Sequence, residues 1–201
     1  NDPAVDIVVE LIGGTTLAYD LVKAALEQGK AVITANKALV AARGEELFKL
    51  AAANKTAIFF EAAVAGAIPI IKTLKESFAG NRVTSISGIL NGTCNYILTQ
   101  MEENDVAFDD ALQAATDLGY AEADPSLDID GDDTAQKTAI LGSLAFGSWI
   151  DLSVIDIKGI RGISLNDIQY AKEAGFSIKL LGSYQQNEAG AVHLTTECTL
   201  V

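Results

Sequence analysis

The chain has 201 residues, 49% of them hydrophobic and three of them proline, which suffices for one large domain or one and a half. Fourteen basic against 27 acidic residues leave a formal charge of −13, so nucleic acid, which needs a basic surface, is excluded as the expected partner. Two cysteines without a CxxC pair and a single histidine suggest neither a disulfide framework nor a zinc site, and the longest apolar run, from Ala139 to Ile150, falls short of the about 20 residues of a membrane span.

Residues 5–12 form a nearly continuous apolar run, as expected of a buried parallel strand. Gly13-Gly14 turns the chain, and Thr15 or Thr16 can cap the next element. Residues 17–28 have helical spacing, with Leu17, Leu21, Ala24 and Ala25 on one side and Gly29 as the stop. A second buried strand is predicted over 31–35, a second helix over 37–53 with Gly44 weakening its middle, and a third strand over 56–62. This alternation predicts a parallel sheet with right-handed crossovers. Ligands of such sheets bind beyond the carboxyl ends of the strands. Gly13, Asn36-Lys37 and Glu61 all fall there, although each alone is equally well explained by turn chemistry.

Small residues from Ala62 to Ala67 suit a tight loop and mark the expected domain boundary; Pro69 suits a helix start. Residues 82–92 alternate and then turn apolar, as a sheet strand does, and Asn91-Gly92 ends it. Thr93 opens a helix, which it can cap, and residues 106–119 form an amphipathic helix stopped by Gly119. Beyond the acidic stretch that follows, a helix over 165–175 and two strands joined at 186–190 are predicted, with His193 a strand residue. The start at Asn1-Asp2-Pro3, without an initiator methionine, and the strand-like end at Leu200-Val201 are the pattern expected of an internal fragment. No stretch reads as a signal peptide.

The stretch GYAEADPSLDIDGDDTAQK, residues 119–137, gathers Glu122, Asp124, Asp128, Asp130, Asp132 and Asp133 ahead of one lysine. Like charges repel, so a plain linker rarely carries so many. Asp130 or Asp132 can cap the helical pattern that follows, and Asp133 and Lys137 share a helix face at i,i+4. Three readings stand side by side: a solvated loop with a surface ion pair, a calcium loop, and a polar active site. The calcium loop fails at its twelfth position, where Lys137 stands in place of a bidentate glutamate.

The same stretch resembles the signature segment of homoserine dehydrogenases. VVELIGG (8–14), ITANKALVA (33–41), FEAAVAGAIPII (60–71) and GILNGTCNYILTQM (88–101) agree with that family in order, and together the matches span most of the chain. The resemblance implies an α/β fold: a partial Rossmann-like parallel sheet at 1–62, the later half of a dinucleotide-binding domain, followed at 63–201 by an incomplete α/β catalytic and dimerisation domain with an open sheet. The glycine-rich fingerprint is absent here and lies upstream in the family, so poor cofactor binding by this chain alone is expected. The implied reaction interconverts L-aspartate 4-semialdehyde and L-homoserine with NAD(P)H, in the cytoplasm, in a homodimer or higher oligomer.

By the same resemblance Lys137 stabilises and protonates the developing alkoxide, with Lys37 a second candidate that can also touch the cofactor. Asp133 orients Lys137 and holds the substrate's polar end, Glu122 suits its ammonium, and Asp128 and Thr93 lie near it. Ile12, Gly13 and Gly119 let the backbone approach the cofactor. Glu61 with the carbonyls of Val64, Gly66 and Ile68 would bind Na+ or K+, whereas the residues alone read as a packed loop before a helix. Cys94 departs from the hydroxyl residue more usual after Thr93. A reading from another class is a non-catalytic dimerisation module whose acidic loop binds a cationic partner.

Overall fold

A computed structural model describes residues 2–201. They form two compact units, one built from residues up to Val83 together with Ala139–Ser153, the other from Thr84–Thr138 and Val154–Val201. This division by contacts does not coincide with the boundary at 62/63 read from the sequence.

In the first unit, β1 (Ile7–Glu10), β2 (Ala31–Thr34) and β3 (Ile58–Phe59) make a parallel sheet in the order β1-β2-β3. Helices α1 (Leu17–Glu27) and α2 (Lys37–Ala53) fill the two connections, and α1 packs on β1, β2 and α2. Side chains alternate across the sheet: Val32, Thr34 and Ile58 are buried, whereas Ile7, Val9, Ile33 and Phe59 are exposed. The expectation of a fully buried first strand is therefore corrected. Glu10 shares the covered face, and the apolar side chains at 7 and 9 lie on the uncovered one. The buried stripe of α1 is also displaced, to Ala18, Val22, Ala25 and Leu26, leaving Leu17 and Leu21 exposed. Thr16 stands at the N-cap of α1 but makes no side-chain cap bond.

The third strand is shorter than predicted, because a 3₁₀ turn over Glu61–Ala63 takes over from Phe60. Pro69 then precedes the short helix α3 (Ile70–Lys72), which continues as a π-helical turn over Thr73–Ser77. Gly44, in the middle of α2, has a packing reason: the Trp149 ring lies where its Cβ would be.

In the second unit β4 (Ser85–Gly88), β6 (Ile178–Gln186), β7 (Val192–Leu200) and β5 (Asp156–Ile157) form a mixed open sheet in the order β4-β6-β7-β5. The long β6 and β7 are antiparallel over nine paired residues. Helices α4 (Gly92–Asn104), α5 (Phe108–Asp117) and α8 (Leu165–Glu173) bury Cys94, Ile97, Leu98, Met101, Ala111 and Ile168 in a core with Leu180 of β6. β4 pairs only with Gly182–Gln185, and beyond its end the buried Asn95 of α4 takes over. Its Oδ1 accepts the Leu180 N–H at 3.0 Å and its Nδ2 donates to the Leu180 carbonyl at 3.1 Å. Between α5 and the last strands lie a short helix α6 (Ser126–Ile129) and the helix α7 (Asp132–Phe146), whose residues up to Thr138 belong to this unit and the rest to the first.

Candidate active site

Asn91 follows β4 and caps α4, its Oδ1 accepting the Cys94 N–H at 2.8 Å. The capping role expected of Thr93 thus falls to Asn91. Thr93 sits inside the first turn and donates its hydroxyl to the Tyr120 carbonyl at 2.8 Å, tying α4 to the start of the acidic stretch. The Asn91 amide nitrogen then donates to two carboxylates, Oδ1 of Asp128 at 2.6 Å and Oδ2 of Asp133 at 2.8 Å. Two like charges are thereby held on one neutral donor group.

Lys137 completes the cluster. Its Nζ donates to Oδ2 of Asp133 at 2.6 Å and to the Leu90 carbonyl at 2.7 Å. The lysine side chain is 17% exposed and the aspartate 8%, so the surface ion-pair reading is corrected: water screens this pair poorly. The cluster converges because α7 presents Asp133 and Lys137 on one face while the β4–α4 corner supplies Leu90 and Asn91. Cys94, fully buried under it, donates its thiol to the Asp128 carbonyl, and burial pushes that thiol well above its ordinary range. It is inert packing rather than a nucleophile.

The other acids of the stretch separate in role. Glu122 is exposed on the loop after Gly119, which adopts a left-handed φ of 76°. Asp124 accepts the Ser126 N–H at 3.1 Å and shapes the loop. Asp130 pairs with Arg161, whose guanidinium also reaches the Ser126 hydroxyl at 3.1 Å. That guanidinium holds the Asp130 carboxyl below its usual range.

The carboxyl ends of β1 and β2 carry a second buried network, in the first unit. Glu10, 2% exposed, accepts the N–H groups of Ile12 (2.8 Å) and Gly13 (3.1 Å) on Oε1 and the Thr34 hydroxyl (2.6 Å) on Oε2. Burial pushes this carboxyl upward, but the hydrogen bonds from Thr34, Gly13 and Ile12 outweigh it and hold it below the usual range. The Thr34 oxygen accepts the Asn36 N–H at 3.0 Å; Asn36 donates to the Gly14 carbonyl at 2.7 Å and caps α2 at Leu39, one residue before the half-buried Lys37. Gly13 and Gly14 have φ of 81° and 71°, and open space lies where their Cβ atoms would be, so a ligand can approach this backbone closely.

Near the end of β3, both Glu61 oxygens accept a backbone N–H at the start of α3, from Ile71 (2.9 Å) and Lys72 (3.0 Å). The loop after it holds two non-glycine residues in left-handed conformation, Ala65 (φ 50°) and Ala67 (φ 69°). The Ile68 carbonyl accepts the Ile70 N–H at 2.8 Å. Glu61 thus closes the start of α3 onto the end of β3.

Sequence reasoning passed over Asn91, which it read as a turn, and Glu10 and Thr34 altogether. Glu10 did leave a signal: an acid inside an apolar strand run needs a partner, because an unpaired buried charge is costly. Asn91 left none, since its two carboxylates lie far along the chain.

A family model described as "Homoserine dehydrogenase" matches residues 69–201, and one described as "Homoserine dehydrogenase, NAD binding domain" matches residues 1–61. The homoserine dehydrogenase of Neisseria gonorrhoeae is 49% identical over 197 residues, 98% of this chain and 45% of the relative. A crystal structure of a homoserine dehydrogenase from Thiobacillus denitrificans is similar at a TM-score of 0.94 with 48% identity, covering 97% of this chain and 45% of that one. A hyperthermophilic archaeal homoserine dehydrogenase in complex with NADPH is similar at 0.83 with 30% identity, covering 98% and 56%. The chain thus spans about half the length of the relatives it matches.

Proposed function

The chain belongs to the homoserine dehydrogenase family, and from that premise we propose that it is part of an NAD(P)-dependent oxidoreductase interconverting L-aspartate 4-semialdehyde and L-homoserine. The observation that carries this reading is the shielded ammonium of Lys137, fixed by Asp133 and the Leu90 carbonyl. Two of its three donors are engaged there, and the third remains for a substrate oxygen.

When bound, the dinucleotide would supply a hydride to the aldehyde carbon or accept one from the carbinol carbon of homoserine. Lys137 stabilises the charge that develops on the oxygen and passes it the proton from Nζ. In the reverse direction the Lys137 amine left by that step takes the proton back from the homoserine hydroxyl and becomes the ammonium again, with Asp133 orienting it throughout. Asn91 holds Asp133 and Asp128 together, so the lysine's partner cannot swing away. Glu122, exposed on its loop, suits the substrate ammonium, and the Thr93 bond to Tyr120 fixes that loop beside α4. Lys37, the first residue of α2 and the one after Asn36, which holds the Gly14 carbonyl, is the second candidate for contact with the reacting groups. Ile12, Gly13 and Gly119 would lie against the cofactor. Glu61 and the carbonyls of Val64, Gly66 and Ile68 would hold Na+ or K+ and stiffen the loop leading out of β3. We assign 1–62 to cofactor binding and 63–201 to catalysis and pairing of two subunits through the open sheet, in a cytoplasmic enzyme. No described helix is long and apolar enough to cross a membrane.

The test is turnover of homoserine with NAD+ or NADP+ by the full-length protein and by its Lys137→Ala variant. Wild-type turnover that the substitution abolishes supports the reading. Undiminished turnover in the variant removes Lys137 from the chemistry. A full-length protein without any turnover favours the acidic loop as a mere binding surface.

A further inference from the structure

A buried carboxylate surrounded by apolar strand is costly unless its oxygens are occupied. Glu10 sits between Val9 and Leu11, and both its oxygens are used: one takes the N–H groups of Ile12 and Gly13, the other the Thr34 hydroxyl. The same hydroxyl accepts the Asn36 N–H, and Asn36 in turn holds the Gly14 carbonyl and caps α2. One continuous chain of hydrogen bonds thus ties the loop after β1 to the helix that begins with Lys37. The loop needs such a tether. Its two consecutive glycines in left-handed conformation would otherwise sample many states, and a ligand would bear the cost of ordering them.

The bonds also decide what the loop can recognise. Loops beyond parallel strands commonly meet ligands through free N–H groups, which favour phosphate. Here the N–H groups of residues 12 and 13 are spent on Glu10, which moreover places a negative charge directly behind them. A phosphate there would meet that charge.

We propose that Glu10 is a positioning residue for the cofactor: through Thr34 and Asn36 it fixes the Ile12–Gly14 backbone and the start of α2 in one arrangement, and it makes the loop a receptor for a hydrogen-bond donor rather than for a phosphate. The suitable donors on a nicotinamide dinucleotide are the ribose hydroxyls and the carboxamide N–H2 group. The proposal rests on the reading that this edge of the sheet binds NAD(P).

The test uses the full-length protein, NADPH titration by fluorescence, steady-state kinetics and thermal unfolding, on Thr34→Val, Thr34→Ser, Glu10→Gln and Glu10→Ala. Thr34→Val is expected to weaken NADPH binding and raise the NADPH KM about tenfold, the scale of one lost hydrogen bond to a charged group. The kcat and the homoserine KM stay near wild type. Thr34→Ser restores NADPH affinity because it restores the hydroxyl. Glu10→Gln, with one oxygen left for the loop amides, falls between wild type and Glu10→Ala. A role confined to holding the fold would lower the melting temperature of Thr34→Val and leave the NADPH KM where it was, and that result overturns the proposal. Should Glu10→Ala fail to fold, the Thr34→Val and Thr34→Ser pair decides. A wild type that turns over homoserine while Thr34→Val keeps full NADPH affinity sinks this inference alone; a wild type that binds no dinucleotide sinks the functional reading with it.

Discussion

A lysine and an aspartate both largely shielded from water depend on each other more than a pair on a solvated helix does. Removing Lys137 leaves Asp133 with only the Asn91 amide and its other neighbours, so Lys137→Ala should cost stability on the scale of a broken buried pair, about 3–5 kcal/mol. In the full-length enzyme the same substitution should lower kcat about 10²–10⁴-fold, the usual worth of a positioned acid, with NADPH affinity unchanged. Combining it with Asp133→Asn should recover part of the lost stability in a denaturation cycle while activity stays low. A double variant as unstable as the sum of the two singles would show that the pair is not coupled. Glu10 makes a separate pH prediction. Its folded pKa is depressed, so its contribution is present above the ordinary glutamate range and lost as pH falls through the folded value. Acid unfolding of the wild type should therefore be steeper in that window than that of Glu10→Gln; equal slopes would contradict the hydrogen-bond account. The Lys137–Asp133 contact was legible from i,i+4 spacing alone. The bridge from Asn91 to Asp128 and Asp133 was not, because no local pattern links residues so far apart in the chain.

At the scale of elements, pattern reading succeeded where one helix or strand decides its own fate and failed where a neighbour decides. Helix α2 runs over the predicted residues, begun by the Asn36 cap. The α1 stripe was misread because Leu17 and Leu21 looked like core, while the face that meets the sheet is lined by smaller Ala18, Val22 and Ala25. Gly44 shows how a neighbour reverses a propensity argument. In an isolated helix Gly→Ala would stabilise by about 1 kcal/mol. Here the new methyl would overlap the Trp149 ring, so Gly44→Ala should destabilise by about 1–3 kcal/mol in urea unfolding, the usual range for overpacking. Joining it to Trp149→Leu, which removes the ring, should relieve the clash; a Gly44→Ala chain more stable than wild type would refute the packing explanation.

For the molecule as a whole, the division near residue 62 is one of sequence order, whereas contacts gather the second half of α7 and the residues to Ser153 with the first unit. Periodicity reports which face of an element is apolar, not which unit will cover it. β1 differs again: its apolar run reads as buried on both sides, while Ile7 and Val9 lie on a face that no described element of this chain covers. The two sheets should accordingly differ in how long their amide protons survive in heavy water. The four-residue β1 at a sheet edge should exchange early, and the middle of β6, flanked by β4 and β7, late. Leu180 adds a finer case. Its amide lies past the end of β4 and is guarded by a side chain, the Oδ1 of Asn95, rather than by a strand. Asn95→Ala should therefore accelerate deuteration at Leu180 while leaving Ser183 and Tyr184, still enclosed between two strands, at their native rates.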